Sequence, residues 1–241
     1  MARARPQLPE LPAVTQPAAG SRARPRGHVS RNVYETVRTA VLDCTFAPGM
    51  ALSEQAVSDQ LEVSRAPVRE AFRQLTTEGL LETLPQRGTF VARLNRGKVA
   101  DAIFVREAIE CRAAELAAKA PLAGRKHLVQ IVRRQASASA KRDYASHLSA
   151  DEDFHHHILL LAGHPHAWGP LRLARTGMNR IRHLAIPAVG SNRIALDHHR
   201  QMVDAIIAGD GRAAGRLMRA HVQSPLLFLE AIFERHPEYF E

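Results

Sequence analysis

Cysteine, acidic residues and long apolar runs are all in short supply in this sequence, and each shortage narrows what the protein can be. Only two cysteines, Cys44 and Cys111, occur in 241 residues. They lie far apart, in no CxxC or disulfide-like spacing, which suits free thiols in a reducing cytoplasm. No apolar stretch approaches the ~20 residues that cross a bilayer. The N-terminal arginines are not followed by an apolar h-region, so the start does not read as a secretion signal. Acid is in deficit, with 24 acidic residues against 33 basic ones and a net charge of +9. Such an excess favours a polyanionic partner such as nucleic acid, although an arginine-rich soluble protein from a high-GC genome would show it too. Apolar residues make up 45% of the chain, enough for real cores, and the length allows two ordinary domains.

Residues 1–27 carry five prolines and five arginines opposed only by Glu10, the composition of a disordered basic tail. From Ser30, a plausible N-cap, Val33, Val37, Ala40 and Val41 recur at helical spacing until Pro48-Gly49. Ser53 and Glu54 open a second helix with Ala56, Val57 and Leu61. Ser64 caps a third, whose Val68, Ala71, Phe72 and Leu75 share a face before Gly79. Two short strands, 80–84 and 89–92, flank a turn at Pro85–Gly88. Three helices and a hairpin make the outline of a winged helix-turn-helix over 28–95. After Lys98 the period is helical throughout, and breakers at Pro121/Gly124, Gly163/Pro165, Gly169/Pro170, Pro187/Gly190 and Gly209/Gly211 divide residues 96–241 into about six helices. The expected fold is mainly α, a winged helix-turn-helix followed by an all-α bundle.

The third helix begins Ser64-Arg65-Ala66-Pro67-Val68-Arg69. Pro67 is tolerated in the first turn, where its missing N–H has no intrahelical use. A recognition helix presents its N-terminal residues to base edges in the major groove. Arg65 and Arg69 share a face, within reach of guanine or phosphate, and Arg73 extends the row. Arg87 and Gly88 occupy the wing tip. Arg38 on the first helix completes the candidate DNA-binding set of Arg38, Ser64, Arg65, Pro67, Arg69, Arg73, Arg87 and Gly88. The plainer reading is a solvated face whose arginines pair with Glu70 and Glu78.

The run from Ala47-Pro48-Gly49 to Ser53-Glu54, then Ser64-Arg65-Ala66-Pro67-Val68-Arg69-Glu70-Ala71, Glu78-Gly79-Leu80 and Arg87-Gly88-Thr89-Phe90-Val91, closely resembles the DNA-binding domain of the GntR family of regulators. The resemblance implies that Arg65 and Arg69 contact an operator and that Gly88 lies at the wing. Glu62 departs from the family, which usually has glycine in that turn.

Histidines supply the second candidate site. Asp151 and His155 are spaced i,i+4 and share a helix face. His199 lies ten residues before Gly209 and His221 ten after Gly211. If 208–211 is the tight turn of an antiparallel helix pair, both histidines sit ~15 Å from it and level with each other. One carboxylate and three imidazoles can hold a divalent metal, with Zn²⁺, Ni²⁺ and Mn²⁺ all admissible. With 13 histidines in the chain, coincidental spacing has to be weighed against this.

Arg106-Glu107-Ala108-Ile109-Glu110, Ala113 to Ala118, Asp151 to His155, His199-Arg200 and Met218 to His221 together resemble the FCD ligand-binding domain of the FadR subfamily. Metal-binding members carry an Asp and three His where this chain has Asp151, His155, His199 and His221. Their effectors are typically small carboxylates or sugar acids. Arg106 stands where the family has an inward arginine, suited to holding an acid; a salt bridge to Glu110 is the competing role. These features imply a cytoplasmic homodimeric repressor that reads a palindromic operator and senses a small acid. A metal-dependent hydrolase or lyase is the competing class. Against it, no general base sits beside the metal ligands, since Glu152 points about 100° away from Asp151 on a helix. A regulator that binds DNA alone, with structural histidines, is the third.

Overall fold

The computed structural model describes residues 8–11, 26–189 and 191–241, which form two compact units: the chain up to Asn95 together with His236–Glu241, and Arg96–Arg235. In the first unit α1 (Arg26–Leu42), β1 (Ala51–Leu52), α2 (Glu54–Gln60), α3 (Arg65–Thr77), β2 (Leu81–Leu84) and β3 (Gly88–Val91) follow in order. The strands form an antiparallel sheet ordered β1-β3-β2, with Leu81 opposite Val91 and Thr83 opposite Thr89. Helix α3 buries Val68, Ala71, Phe72 and Leu75, the face that its period announces. Val37, Phe46, Val57 and Leu80 close the same core.

Four local expectations change. Ser30 lies inside α1 rather than at its cap, because the helix starts at Arg26. Strand β1 has only two residues, too few to leave a period of two in the sequence. Leu11 is buried and Leu8 packs against the same core, while the Gln60 amide donates to the Pro9 carbonyl at 3.0 Å. That short piece is therefore docked; the rest of the expected basic tail lies outside the described residues. The last six residues, expected with the helical domain, belong with the first unit. The Leu94 N–H donates to the Tyr239 carbonyl at 2.8 Å and the Glu241 N–H donates to Leu94 at 3.0 Å. Burial of Phe240 accompanies this parallel bridge.

Every described element of the second unit is helical. Helices α4 (Arg96–Arg106) and α5 (Arg112–Ala117) are joined without a break by a π-helical turn, Glu107–Cys111. Helices α6 (Leu122–Ala140), α7 (Tyr144–Leu161), α8 (Trp168–Val189), α9 (Ser191–Ala208), α10 (Gly211–Gln223) and α11 (Leu226–Arg235) follow. Gly169-Pro170 does not divide α8, since Pro170 sits in the first turn where it removes no intrahelical bond. Conversely, α6 and α7 separate without glycine or proline. Arg142 takes φ +56 and the Asp143 carboxylate accepts from the Ser146 N–H at 3.0 Å, capping α7. Helices α9 and α10 pair across the turn at Gly209 (φ +80). Gly211 lets α10 approach α5 closely, since a Cβ there would lie 2.8 Å from the Glu115 carbonyl oxygen.

A buried histidine–aspartate site and an exposed arginine face

On α3, Arg65, Arg69 and Arg73 keep 54%, 67% and 76% of their side chains exposed. Arg65 and Arg69 both lean on Glu54 at the start of α2, at 3.4 and 3.3 Å, and Arg73 pairs with Glu70 at 2.7 Å. Exposed pairs of this kind hold about 1 kcal/mol or less, so they orient the guanidiniums without committing them. Ser64 occupies the N-cap position of α3, but its side chain makes no capping hydrogen bond; Pro67 lies in the first turn. Gln86 and Gly88 at the wing have φ +61 and +102, the conformation that favours glycine at the second of them. Arg87 projects there, its guanidinium 5.9 Å from the Phe90 ring centre. Arg38 differs from the rest of the set. It is buried and pairs with Glu78 at 3.4 Å, a carboxylate that also accepts from the Tyr34 hydroxyl at 2.5 Å.

The turn before α3 explains the unusual Glu62. This residue adopts φ +53, the left-handed region where glycine is at ease. The turn is braced instead by the Ser58 hydroxyl donating to the Val63 carbonyl at 2.6 Å and by the Val63 N–H donating back to Ser58 at 3.1 Å.

In the bundle, Asp151, His155, His199 and His221 are all buried, and one ligand atom from each lies within 4.8 Å of all the others. The i,i+4 pair on α7 and the levelled pair on α9 and α10 have met, His199 and His221 with ring centres 4.5 Å apart. His155 Nε2 lies 3.1 Å from His221 Nε2 and 3.8 Å from Asp151 Oδ2, and His199 Nε2 lies 3.6 Å from Asp151 Oδ1. Donors bound to one ion at ~2.1 Å can stand up to about 4.2 Å apart, so these three separations suit a shared ion. The buried Nε2 of His199 has no hydrogen-bond partner in the chain, an uncommon and costly state for a buried polar atom. The four residues therefore could hold a metal ion.

Surrounding groups orient these ligands. His199 Nδ1 donates to the Gln135 side-chain oxygen at 2.7 Å, which leaves Nε2 as the acceptor facing Asp151. Phe154 stacks on the same ring with centres 4.0 Å apart. The Gln135 amide also meets His147 Nε2 at 3.4 Å, and His147 is itself one turn before Asp151 on α7. His155 Nδ1 contacts the Glu110 carboxylate closely, the carboxylate–imidazole arrangement that turns the other ring nitrogen toward a metal. Burial lowers the histidine pKa values, that of His155 to about 4 with Arg175 reinforcing the effect, and those of His199 and His221 well below the ordinary range. Neutral imidazoles are the form that binds metal.

Glu110 and Arg106 come from the π-helical turn and the residue before it. Such turns recur at functional sites. Arg106 Nε donates to Glu110 at 2.6 Å, so the competing salt bridge of the sequence reading is present, and Arg106 also lines the pocket described below. Two arginines that the sequence reading passed over complete the cluster. From α8, Arg175 donates to Asp151 Oδ2 at 2.7 Å and Arg182 to the same oxygen at 2.5 Å, with a second Arg182 contact to Oδ1. Their spacing of seven on one helix face was the available signal. In a chain with 33 basic residues, it resembles any solvated face. Burial alone would raise the Asp151 carboxyl, but Arg182, then His155 and Arg175, outweigh it and hold it well below the usual range. Glu110 is likewise held down, by Arg106 first, against its burial.

Comparison with known proteins agrees with both halves. The pattern of bacterial regulatory proteins of the gntR family matches residues 29–91, and that of the FCD domain matches residues 101–224. An HTH-type transcriptional regulator in an unstable DNA locus of Streptomyces ambofaciens is 34% identical over 215 residues, covering 87% of this chain and 89% of that protein. The HTH-type transcriptional repressor RspR of Escherichia coli K12 is 30% identical over 217 residues, covering 90% and 95%. Among solved structures, a GntR transcriptional regulator from Rhodococcus sp. RHA1 superposes with a TM-score of 0.71 at 26% identity, covering 85% of this chain and 99% of that one.

Proposed function

This chain belongs to the GntR family of bacterial regulatory proteins and carries an FCD domain, and from that premise we propose a homodimeric repressor whose hold on a palindromic operator is modulated by a small acid bound at a divalent metal. The family regulates transcription and is not a family of enzymes. No described helix is long and apolar enough to cross a membrane, in keeping with action on DNA in the cytoplasm.

The exposed Arg65, Arg69 and Arg73 row, with Ser64 and Pro67 at the helix start and Arg87 and Gly88 at the wing, forms the reading surface. Arg38, fixed by Glu78, presents its charge from a braced position. Two such units related by twofold symmetry read two half-sites. Phe104 on α4, Leu173 on α8 and Leu227 on α11 are large apolar residues left 75%, 53% and 71% exposed. These helices pack on one another within the bundle, and their apolar residues supply area for a second copy.

The observation that carries the sensing role is the orphaned His199 Nε2, facing Asp151 among three other buried ligands. Asp151, His155, His199 and His221 would hold the ion, with Zn²⁺, Ni²⁺ and Mn²⁺ all compatible with this donor set. Bound there, the metal supplies a Lewis-acidic position for an effector carboxylate. Gln135 and Glu110 keep the imidazoles turned inward, and Arg106 offers the acid a guanidinium. Effector binding shifts the balance between two arrangements of the dimer and so changes operator affinity.

The test is metal analysis of protein purified without a chelator or a His-tag, alongside His199→Ala and an operator-binding titration. One tightly held divalent ion per chain, lost in the variant, supports the reading. Protein that takes up no ion, even with Zn²⁺, Ni²⁺ or Mn²⁺ added, refutes it while leaving DNA binding in place.

A further inference from the structure

Three guanidinium groups, of Arg106, Arg175 and Arg182, are buried around the ligand cluster. Buried arginines carry a heavy desolvation cost, and apolar residues in their places would serve stability as well or better. Two buried carboxylates, Asp151 and Glu110, face them directly. A third, the half-buried Glu152, accepts from Asn179 at 2.9 Å and adds its field at Arg182. Arg180, also buried on α8, lies about 140° around the helix from Arg175 and outside this face. Positive and negative charge are thus near balance in the metal-free chain. A divalent ion on Asp151 would add two positive charges and take the carboxylate that Arg175 and Arg182 now share.

A narrow adjoining pocket, partly open to solvent, shows where compensating charge could enter. Arg106, Arg182 and His221 line it, and its other walls include Ala185, Ala195 and Phe228. Two cationic groups and one metal-ligand histidine therefore share an otherwise largely apolar chamber. A single carboxylate could answer either the ion or the arginines released from Asp151, and would leave the other uncompensated. We propose that the effector is a small dicarboxylate, one carboxylate placed at the metal beside Arg106 and the other held by Arg182, with its short hydrocarbon middle against Ala185, Ala195 and Phe228. This deepens the sensing role proposed above and rests on it. Bidentate pairing of guanidinium with carboxylate makes Arg182 the residue that discriminates diacids from monoacids.

The experiment is calorimetric titration of full-length, metal-loaded protein with malonate, succinate, glutarate and adipate, each beside the monocarboxylate of equal chain length. At least one diacid should bind about tenfold or more tightly than its matched monoacid. Arg182→Gln should bring that ratio close to one, and Arg182→Lys, which keeps the charge but not the fork, should recover part of it. The wild-type series decides the matter even if a variant misfolds: no diacid preferred over its match, or no binding by any diacid, overturns the proposal. Metal content measured on the same wild-type sample separates the two levels. A stoichiometric ion without diacid preference removes the dicarboxylate alone, whereas no ion removes the metal reading and this proposal with it.

Discussion

The two halves of this protein use arginine in opposite ways. On α3 the guanidiniums are more than half exposed and pair directly with single carboxylates at the surface. Around Asp151 they are nearly inaccessible and compete for both oxygens of one carboxylate. The first arrangement can be given up to an external polyanion with little change to the fold. The second cannot be altered without changing the charge inside the bundle. Exposure, more than residue type, decides whether an arginine here is a contact or a structural commitment.

Asp151→Ala should make that contrast plainest. It strands Arg182 and much of Arg175 without a counter-charge, so stability should fall by about 3–5 kcal/mol, read by urea denaturation, with metal uptake abolished. Unchanged stability would mean that the buried and exposed arginines are equivalent after all.

Acid should act in the same direction on the metal-free protein. His155 titrates near 6.5 when unfolded and at about 4 when folded. The unfolded chain thus binds more protons between those values, and stability present above pH 6.5 is lost as pH falls toward 4. The linkage is on the order of 3 kcal/mol for this residue, with His199 and His221 shifted the same way. Thermal melts from pH 7.5 to 4.5 should show the decline, and a flat profile would argue against neutral buried imidazoles.

Arg69→Ala should weaken operator binding by about 1–3 kcal/mol, roughly fivefold to 150-fold. Melting should hardly change, because the pair with Glu54 contributes so little. A large loss of stability with unchanged DNA affinity would reverse the roles assigned to the two halves. The smallest effect is expected at Glu62→Gly, which relieves a left-handed backbone and should stabilise the first unit by about 0.5–1 kcal/mol. Loss of stability there would show that the Ser58–Val63 brace already holds the turn without strain.

Much of this could be read in advance. The buried face of α3, the wing turn and the level placement of His199 and His221 all follow from periods and turn residues, which act over a few neighbouring positions. Arg175 and Arg182 could not be recognised in that way. Nothing local distinguishes an inward arginine on α8 from an outward one; the difference lies in Asp151, which arrives from another helix. The π-helical turn that presents Glu110, and the pairing of Leu94 with Tyr239 and Glu241, are invisible for the same reason.

The sequence by itself determined most of the helices, the family and the four residues that could hold a metal, because helical spacing and turn chemistry are encoded within a few residues. Only the tertiary structure decided which charges are buried, which ring nitrogen of each buried histidine faces inward, and that three arginines surround them. Desolvation and hydrogen-bond orientation depend on what packs around a group, and those neighbours come from helices far apart in the chain.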